Sequence, residues 1–233
     1  MHLRQDHNRK VTAYRKHILL LYLLFIGTIS HGQREDFGTW SVLNVKWKST
    51  RRWNFDYSNQ LLTRNNSSQI WMIFHDLSAN HRITRDWTQE FHLRWIHFQT
   101  HDQFQQRQMM YYVLQRKFRW GLSEFSLRSR WQYMAIEQHW DDGFAGPYFY
   151  HRIKANYSRE ISSDIKLSAS IEAFQPLNRP NRSGIDQLRY GLSVGKKWNS
   201  RFQSGLFFQR QEQIGRKNPW RRNFIGYSLT FTI

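Results

Sequence analysis

Large apolar side chains fall on every second residue from Asn223 to Ile233, and the same alternation returns along most of the chain. A period of two places successive side chains on opposite faces of a β-strand. Clear examples, besides NFIGYSLTFTI at 223–233, are WNFDYS at 53–58, WTQEFHLRW at 87–95, EFSLRSRWQY at 124–133, DIKLSASIEA at 164–173 and QLRYGLSVG at 187–195. No stretch after residue 30 shows sustained helical periodicity, so the sequence predicts an all-β fold.

The connections between these segments alternate between short and long. Short turns are predicted near 48–52, 84–86, 119–122, 159–164 and 199–200, and longer loops near 64–69, 100–107, 137–147, 175–186 and 211–219. This rhythm is typical of an antiparallel up-and-down transmembrane β-barrel, with short periplasmic turns and longer outer loops. A soluble β-sandwich or lipocalin-like barrel shows the same alternation. The 17% aromatic content, with 11 Trp, favours the membrane barrel.

The number of strands is less clear from the sequence. Eleven segments are found when 37–47 is counted as the first, whereas single-chain bacterial barrels have an even number of strands. The segment at 109–118 is also ambiguous, because MMYYVL is apolar on both faces. We therefore expect ten to twelve strands, with an even number preferred.

The N-terminal region has the pattern of a secretory signal peptide. Residues 1–17 carry five basic residues and one acidic residue, and the apolar run ILLLYLLFIGTI follows at 18–29. Small residues Ser30 and Gly32 precede an expected cleavage before Gln33. The run is too short to cross a membrane as a helix. We expect a signal peptide at 1–32 and an outer-membrane barrel at 33–233.

The charge of the chain bears on its partners. The formal net charge is +18, and there is no Cys, so neither disulfides nor a lipidated N-terminal Cys are available. An exported basic protein meets anionic lipid and lipopolysaccharide phosphates rather than nucleic acid. We expect lipid, lipopolysaccharide phosphates and, during biogenesis, the barrel-assembly machinery as partners. The loop residues that suit phosphates are Arg64, Arg107, Arg179, Arg182, Arg216 and Lys217.

Three stretches carry a family resemblance: DFGTWSVLNVKWKSTRRWNFDYSNQLL, YFYHRIKANYSREISSDIKLSASIEAF and DQLRYGLSVGKKWNSRFQSGLFFQRQ. With the C-terminal strand they cover nearly all of the chain after residue 32. The chain resembles an uncharacterised family of Gram-negative outer-membrane barrels, the domain of unknown function 2490 family. The resemblance implies a barrel in the outer membrane. It carries over no catalytic residues, because the family has no established activity.

The polar faces of the predicted strands hold a dense set of charges. The candidates for a polar network in the lumen are Glu90, His92, Arg94, Glu124, Arg128, Arg130, Arg152, Lys154, Glu172 and Arg189, with Gln187 beside them. Paired across neighbouring strands, these groups would fill and close a small barrel. Because the bases outnumber the acids, a narrow anion-selective pore is the alternative. We predict a structural or binding component with a largely plugged lumen.

Aromatic residues flank the predicted short turns. Trp47, Trp53, Trp87, Trp120 and Trp198 are predicted to form a girdle at the periplasmic interface. The C-terminal strand, with Gly226, Tyr227, Leu229, Phe231 and Ile233, is the expected signal for barrel assembly. Such signals usually end on an aromatic residue, whereas this strand ends on Ile233.

Neither a metal site nor a cofactor is predicted. His97, His101 and Asp102 cluster in sequence, but no second group completes a metal site. An outer-membrane lipid hydrolase is a second alternative function, with Ser126 as nucleophile and His92 and Glu90 as its base and orienting group. We expect no enzymatic activity, because catalysis on lipid requires these groups on the lipid-facing wall or rim.

Overall fold

The computed structural model describes residues 34–99, 104–135, 147–178, 184–216 and 219–233. The predicted signal peptide therefore lies outside the described residues. Eleven strands form the fold. They are β1 Arg34–Lys48, β2 Trp53–Arg64, β3 Gln69–Arg82, β4 Trp87–Gln99, β5 Phe104–Trp120, β6 Ser123–Ala135, β7 Tyr148–Glu160, β8 Ile165–Pro176, β9 Gln187–Lys197, β10 Phe202–Gln213 and β11 Trp220–Thr232. Within these segments no helix has the length and hydropathy needed to cross a membrane.

The strands close into a single ring in sequence order, and β11 pairs with β1. All sequential neighbours pair antiparallel, from β1–β2 to β10–β11. The predicted closed, all-β barrel is confirmed. Closure leaves no sheet edge with unpaired backbone groups, which is the requirement for a barrel in lipid.

The preference for an even number of strands is wrong. The segment predicted at 37–47 is one full wall strand, because β1 pairs along its length with β2 on one side and β11 on the other. With eleven strands, β1 and β11 run in the same direction, so their ladder is parallel from Arg34–Trp220 to Lys46–Thr232. A parallel ladder satisfies backbone groups as an antiparallel one does, so an odd ring closes without a gap.

The connections follow the predicted rhythm with two exceptions. The longer loop predicted near 100–107 is only residues 100–103, because β5 already begins at Phe104. The turns between β1 and β2, β3 and β4, β5 and β6, β7 and β8, and β9 and β10 are short, and they share one end of the barrel, the turn end. The β2–β3 connection, predicted as a longer loop, is only residues 65–68, with positive φ at Asn65, Asn66 and Ser67. It lies at the opposite end, the loop end, where β1 also begins.

The outer wall of the barrel is apolar. Large exposed side chains follow one face of each strand, among them Leu43, Phe55, Leu77, Phe91, Met110, Leu127, Ile153, Leu167, Val194, Leu206 and Ile225. Each of these residues is one position out of phase with the polar side chains that face inward. The alternation read in the sequence therefore separates the wall from the lumen, as the pleat of a strand requires.

Two glycines leave room for large inner side chains near the seam where β1 pairs with β11. A Cβ on Gly226 would overlap the Phe207 ring and the Trp40 carbonyl oxygen, and a Cβ on Gly38 would overlap the Thr63 carbonyl oxygen. The inward Trp40 ring packs edge-on against Phe207 and Phe224, with ring centroids 5.7 and 5.8 Å away. Large inner side chains thus pack directly over backbone that carries no side chain.

Candidate functional site

The inner face at the middle of the barrel holds two groups of charged side chains. The first, the carboxylate cluster, lies on β3–β5 and consists of Asp76, Glu90, His92, Arg94 and Tyr111. The second, the arginine cluster, lies on β6–β9 and consists of Arg128, Arg130, Arg152, Lys154, Glu172 and Arg189. The strand register sets both groups, because directly opposed residues share a face.

Asp76 is the centre of the carboxylate cluster. One carboxylate oxygen lies 2.7 Å from His92 Nδ1, and the other accepts from Arg94 Nε at 2.5 Å and from the Tyr111 hydroxyl. Arg94 also donates to the Tyr111 oxygen at 2.9 Å, while His92 Nε2 lies 3.0 Å from Glu90. The His92 ring stacks on Tyr111 with centroids 4.1 Å apart. Two carboxylates and one guanidinium hold this cluster together.

The arginine cluster is organised around a single carboxylate. Glu172 accepts from Arg128 at 2.8 Å and from Arg152 at 2.9 and 3.2 Å, and Arg189 lies 3.5 Å away. The register explains the geometry, because Glu172 is directly opposite Arg189 on one side and Lys154 on the other. Glu172 is only 2% exposed. One buried anion therefore contacts three arginines.

Arg130 differs from the other arginines of the cluster. It is 7% exposed, and its guanidinium lies 4.1 Å above the centre of the Tyr111 ring. Its strand partner on β7 is Arg152, another cation. Within the described residues Arg130 makes no ion pair, and its Nε has no hydrogen-bond partner. A buried charge without a counter-charge is costly unless something outside the chain supplies one.

An apolar group of inner side chains lies next to the charged clusters. It is formed by Leu62, Phe74, Ile96, Phe98, Met109, Tyr111, Val113 and Phe224, with Trp40, Trp71, Met72 and Met134 packed against it. Trp71 of β3 stacks on Phe224 of β11, with centroids 6.3 Å apart, although two strands separate them in the ring. Arg189 of β9 likewise reaches the Trp40 ring of β1 at 5.7 Å. Side chains from strands that are not neighbours therefore meet inside the barrel.

The inner wall of β9–β11 is open near the turn end. Apart from the Phe207 ring, the inward residues there are small or polar: Ser193, Gly195, Gln203, Gly205, Ser228 and Thr230. They line a cavity of about 160 Å³. On β9 the inward positions above this cavity are Gly191 and then Arg189. The cavity therefore lies on the same inner stripe of wall as the arginine cluster.

The structure places all ten residues of the predicted lumen network on the inner face. Nine of them lie in the two central clusters. Glu124 lies at the turn end instead, 3.0 Å from Arg119 Nε and 3.6 Å from Lys166 Nζ. Sequence reasoning missed Asp76 and Tyr111, although both are central. Tyr111 belongs to the doubly apolar MMYYVL segment, so alternation gave no signal for its inward orientation.

The predicted girdle residues lie at the turn end of the strands that carry them. Trp47 and Trp53 flank the first turn, Trp87 begins β4, Trp120 ends β5, and Trp198 follows β9. Cations accompany two of these rings, with Lys196 Nζ 4.0 Å from the Trp198 centroid and the Arg116 guanidinium 5.4 Å from that of Trp87. Amphipathic rings at one height suit a boundary between an apolar and an aqueous phase.

The residues proposed for a lipid hydrolase are not assembled. His92 uses both ring nitrogens on Asp76 and Glu90, so neither is free to activate a serine. Ser126 lies on β6, and β5 separates it from the β4 strand of His92. A different pair, Ser129 and His151, meets at 2.7 Å on the outer wall. Within the described residues no carboxylate contacts the His151 ring to complete a triad.

Of the three residues considered for a metal site, His97 alone lies in a described segment. His97 faces the outer wall and lies 3.4 Å from the Gln106 amide nitrogen, while His101 and Asp102 fall outside the described residues. The described segments contain no group of three His, Asp or Glu side chains placed to hold a metal ion.

Comparison with solved structures finds chains of similar fold. A solved structure described as the NanC porin matches with a TM-score of 0.53 at 15% sequence identity, covering 85% of this chain and 98% of that chain. This chain has the barrel fold of a porin.

Sequence comparison gives no further relative. No protein-family model matches the chain, and no curated protein sequence matches it. The resemblance to the domain of unknown function 2490 family therefore stays a prediction.

Proposed function

We propose that the protein is a non-enzymatic outer-membrane barrel with a closed lumen, which acts as a structural or binding component of the membrane. The observation that carries this proposal is the contrast between its two faces. The wall exposes large apolar side chains around a ring without edges, whereas the central inner side chains are buried against one another. In water such a wall would aggregate, while in lipid it is the stable surface.

The closed lumen follows from the burial of the inner charges. Asp76, Arg152 and Glu172 are each less than a tenth exposed, and so is the apolar Phe224. An open channel would leave side chains at this height in contact with water. Instead, ion pairs, stacked rings and apolar packing occupy the space, and this arrangement stabilises charges inside a barrel only when they are paired.

Planar-bilayer recording tests the closed lumen. The purified barrel should first show heat-modifiable mobility on a detergent gel, which establishes that it is folded. Inserted into a bilayer, it should then give no stable conductance steps above the lipid background. Stable steps would contradict the closed lumen, and a chain that is monodisperse in water without detergent would contradict the membrane barrel itself.

A narrow anion-selective pore is the second candidate. The central clusters carry six cations, namely Arg94, Arg128, Arg130, Arg152, Lys154 and Arg189, against three acids, Asp76, Glu90 and Glu172. The similar solved structure is also described as a porin. Recording across a salt gradient separates the candidates. A pore of this kind would show steps with a reversal potential of the sign expected for anion flow.

Contacts with lipid and with the assembly machinery belong to the same proposal. Of the basic residues assigned to loops, Arg64 ends β2, Arg107 lies within β5 with its guanidinium 3.7 Å from the Phe98 centroid, and Arg216 follows β10. Arg179, Arg182 and Lys217 lie outside the described residues. We propose lipopolysaccharide phosphates as ligands of the loop end, and β11 as the strand read by the assembly machinery.

A further inference from the structure

We propose that the arginine cluster binds a small oxyanion at Arg130, and that this anion completes the charge balance inside the barrel. The inference rests on the closed lumen proposed above. A ligand with a phosphate or carboxylate group suits the site, because a guanidinium donates two parallel hydrogen bonds to such a group. The anion is thus a component of the plug, as distinct from a substrate passing through it.

The charges of the arginine cluster do not balance. The arginine cluster contains five cations and the single carboxylate of Glu172. The carboxylate cluster beside it supplies at most one surplus negative charge, that of Glu90, which also acts on Arg128 and Arg130 but contacts His92. Charges buried at this density repel one another strongly, because the surroundings screen them poorly. A bound anion removes much of that cost.

Arg130 is the cation of the cluster that most lacks a negative partner. The positive charges of Arg152, Arg128 and Arg94 all act on its guanidinium. Among the described residues its guanidinium makes a cation–π contact with Tyr111 and no ion pair, and a cation over a ring gains less than a paired cation does. Its enclosed Nε donates to nothing. The guanidinium is therefore held in place by packing while its hydrogen-bonding capacity stays largely unused.

Four acceptors near Arg130 already have partners, and one of them is Glu90, whose Oε2 lies 3.0 Å from His92 Nε2. The Tyr111 hydroxyl donates to Asp76 and accepts from Arg94. Gln132 Oε1 accepts from Arg152 at 3.2 Å, and both oxygens of Glu172 are taken by arginines. A side-chain rearrangement that satisfied Arg130 would leave another buried cation without its partner. An acceptor from outside the chain avoids this exchange.

Two further guanidiniums of the cluster also have an N–H group without an acceptor. The Nε atoms of Arg128 and Arg189 are buried and have no hydrogen-bond partner, although both residues contact Glu172 through other nitrogens. Three enclosed donors in one cluster are unusual, because buried polar atoms are nearly always satisfied. Because three neighbouring arginines each lack an acceptor for Nε, the cluster has the features of a binding site for one.

Small residues line the inner wall of β9 between the turn-end cavity and the arginine cluster. Below Arg189 the inward positions are Gly191, Ser193 and Gly195, and the cavity near the turn end borders the last two. None of these residues carries a side chain long enough to block the wall. We place the approach of the anion on this side, because large inner rings lie on the opposite side.

Equilibrium binding of inorganic phosphate tests the proposal. The full barrel is refolded in detergent in phosphate-free buffer, with and without radiolabelled phosphate present during refolding, so that slow access does not limit binding. Wild type should bind one phosphate per chain. Arg130→Gln should weaken binding about tenfold or more, the loss expected for a hydrogen bond between charged groups. The matched control is Arg159→Gln, an exposed arginine at the turn end of β7, which should bind within about twofold of wild type.

The folded state is checked separately by heat-modifiable gel mobility. If Arg130→Gln does not fold, Arg130→Lys is measured instead, since it keeps the charge and removes the planar fork. Unchanged affinity in whichever of the two variants folds would overturn the proposal, and so would the absence of phosphate binding by folded wild type. Conductance steps in a bilayer would overturn the closed lumen instead, so the two failures are distinguishable.

Discussion

The two charged clusters face the same lumen, yet they are balanced in different ways. The carboxylate cluster has two acids around Arg94, and its donors and acceptors close on one another through His92 and Tyr111. The arginine cluster has one acid, Glu172, for five cations, and three of its donors are unused. The difference teaches that burial alone does not define a plug. One cluster is complete within the chain, and the other depends on an added charge.

The largest effect is expected for Glu172→Gln. The change leaves Arg128, Arg152 and Arg189 buried without a counter-charge, and breaking such a group costs about 3–5 kcal/mol. Urea unfolding of the refolded barrel, followed by gel mobility, measures the loss. Glu90→Gln is the control, because Glu90 is more exposed and contacts only His92. Equal losses in both variants would show that the two clusters are not organised differently.

Asp76→Asn should cost about 3 kcal/mol, because Arg94 and His92 both lose the negative charge between them. The comparison with Glu172→Gln becomes sharper when phosphate is added. Phosphate should restore part of the stability lost in Glu172→Gln, since the anion enters the arginine cluster, and none of that lost in Asp76→Asn. Unfolding midpoints with and without phosphate give the answer. Equal recovery in both variants would mean that phosphate acts elsewhere.

Replacing one arginine in each cluster by Met should lower the stability of the barrel in one case and not in the other. Arg94→Met removes the partner of buried Asp76 and should destabilise the barrel by about 3 kcal/mol. Arg130→Met removes a buried charge that has no partner, so in phosphate-free buffer stability should be unchanged or about 1–2 kcal/mol higher. The same urea titration compares them. A loss in Arg130→Met as large as that in Arg94→Met would contradict the charge imbalance.

Among the destabilising changes, Tyr111→Phe should have the smallest effect. The hydroxyl donates to Asp76 and accepts from Arg94, so its loss should cost about 1–2 kcal/mol. The ring is kept, and with it the contacts to His92 and Arg130. Phosphate affinity should therefore stay within about twofold of wild type. A marked drop in affinity would show that the clusters act as one network.

Much of the architecture could be predicted from period-two alternation. The segments around Phe91, Leu127 and Ile225 each place these residues on the outer wall, because lipid-facing and lumen-facing positions alternate along a strand. Whether the number of strands is odd or even could not be predicted in this way. Alternation shows where strands lie and gives no information on whether β1 and β11 meet parallel or antiparallel, so the general preference for even rings outweighed the correct count of eleven.

The site was predictable to a similar degree. Charged inward residues such as Glu172 and Arg152 are conspicuous against an alternating apolar face. Tyr111 and Met109 are not, because the inner face near the loop end is itself apolar and removes the contrast. Which cations lack a partner depends on cross-strand register and side-chain reach. The position of Arg130 opposite Arg152 appears only once the strands are paired.

Because β1 and β11 run parallel, the start of the first strand and the end of the last strand lie at opposite ends of the barrel. The first strand starts at the loop end with Arg34, and the last strand finishes at the turn end with Thr232. In a bilayer these two points lie on opposite surfaces, separated by the full thickness of the lipid. Epitopes inserted beside them would be labelled from different compartments, whereas a ring with an even number of strands would present both to the same antibody.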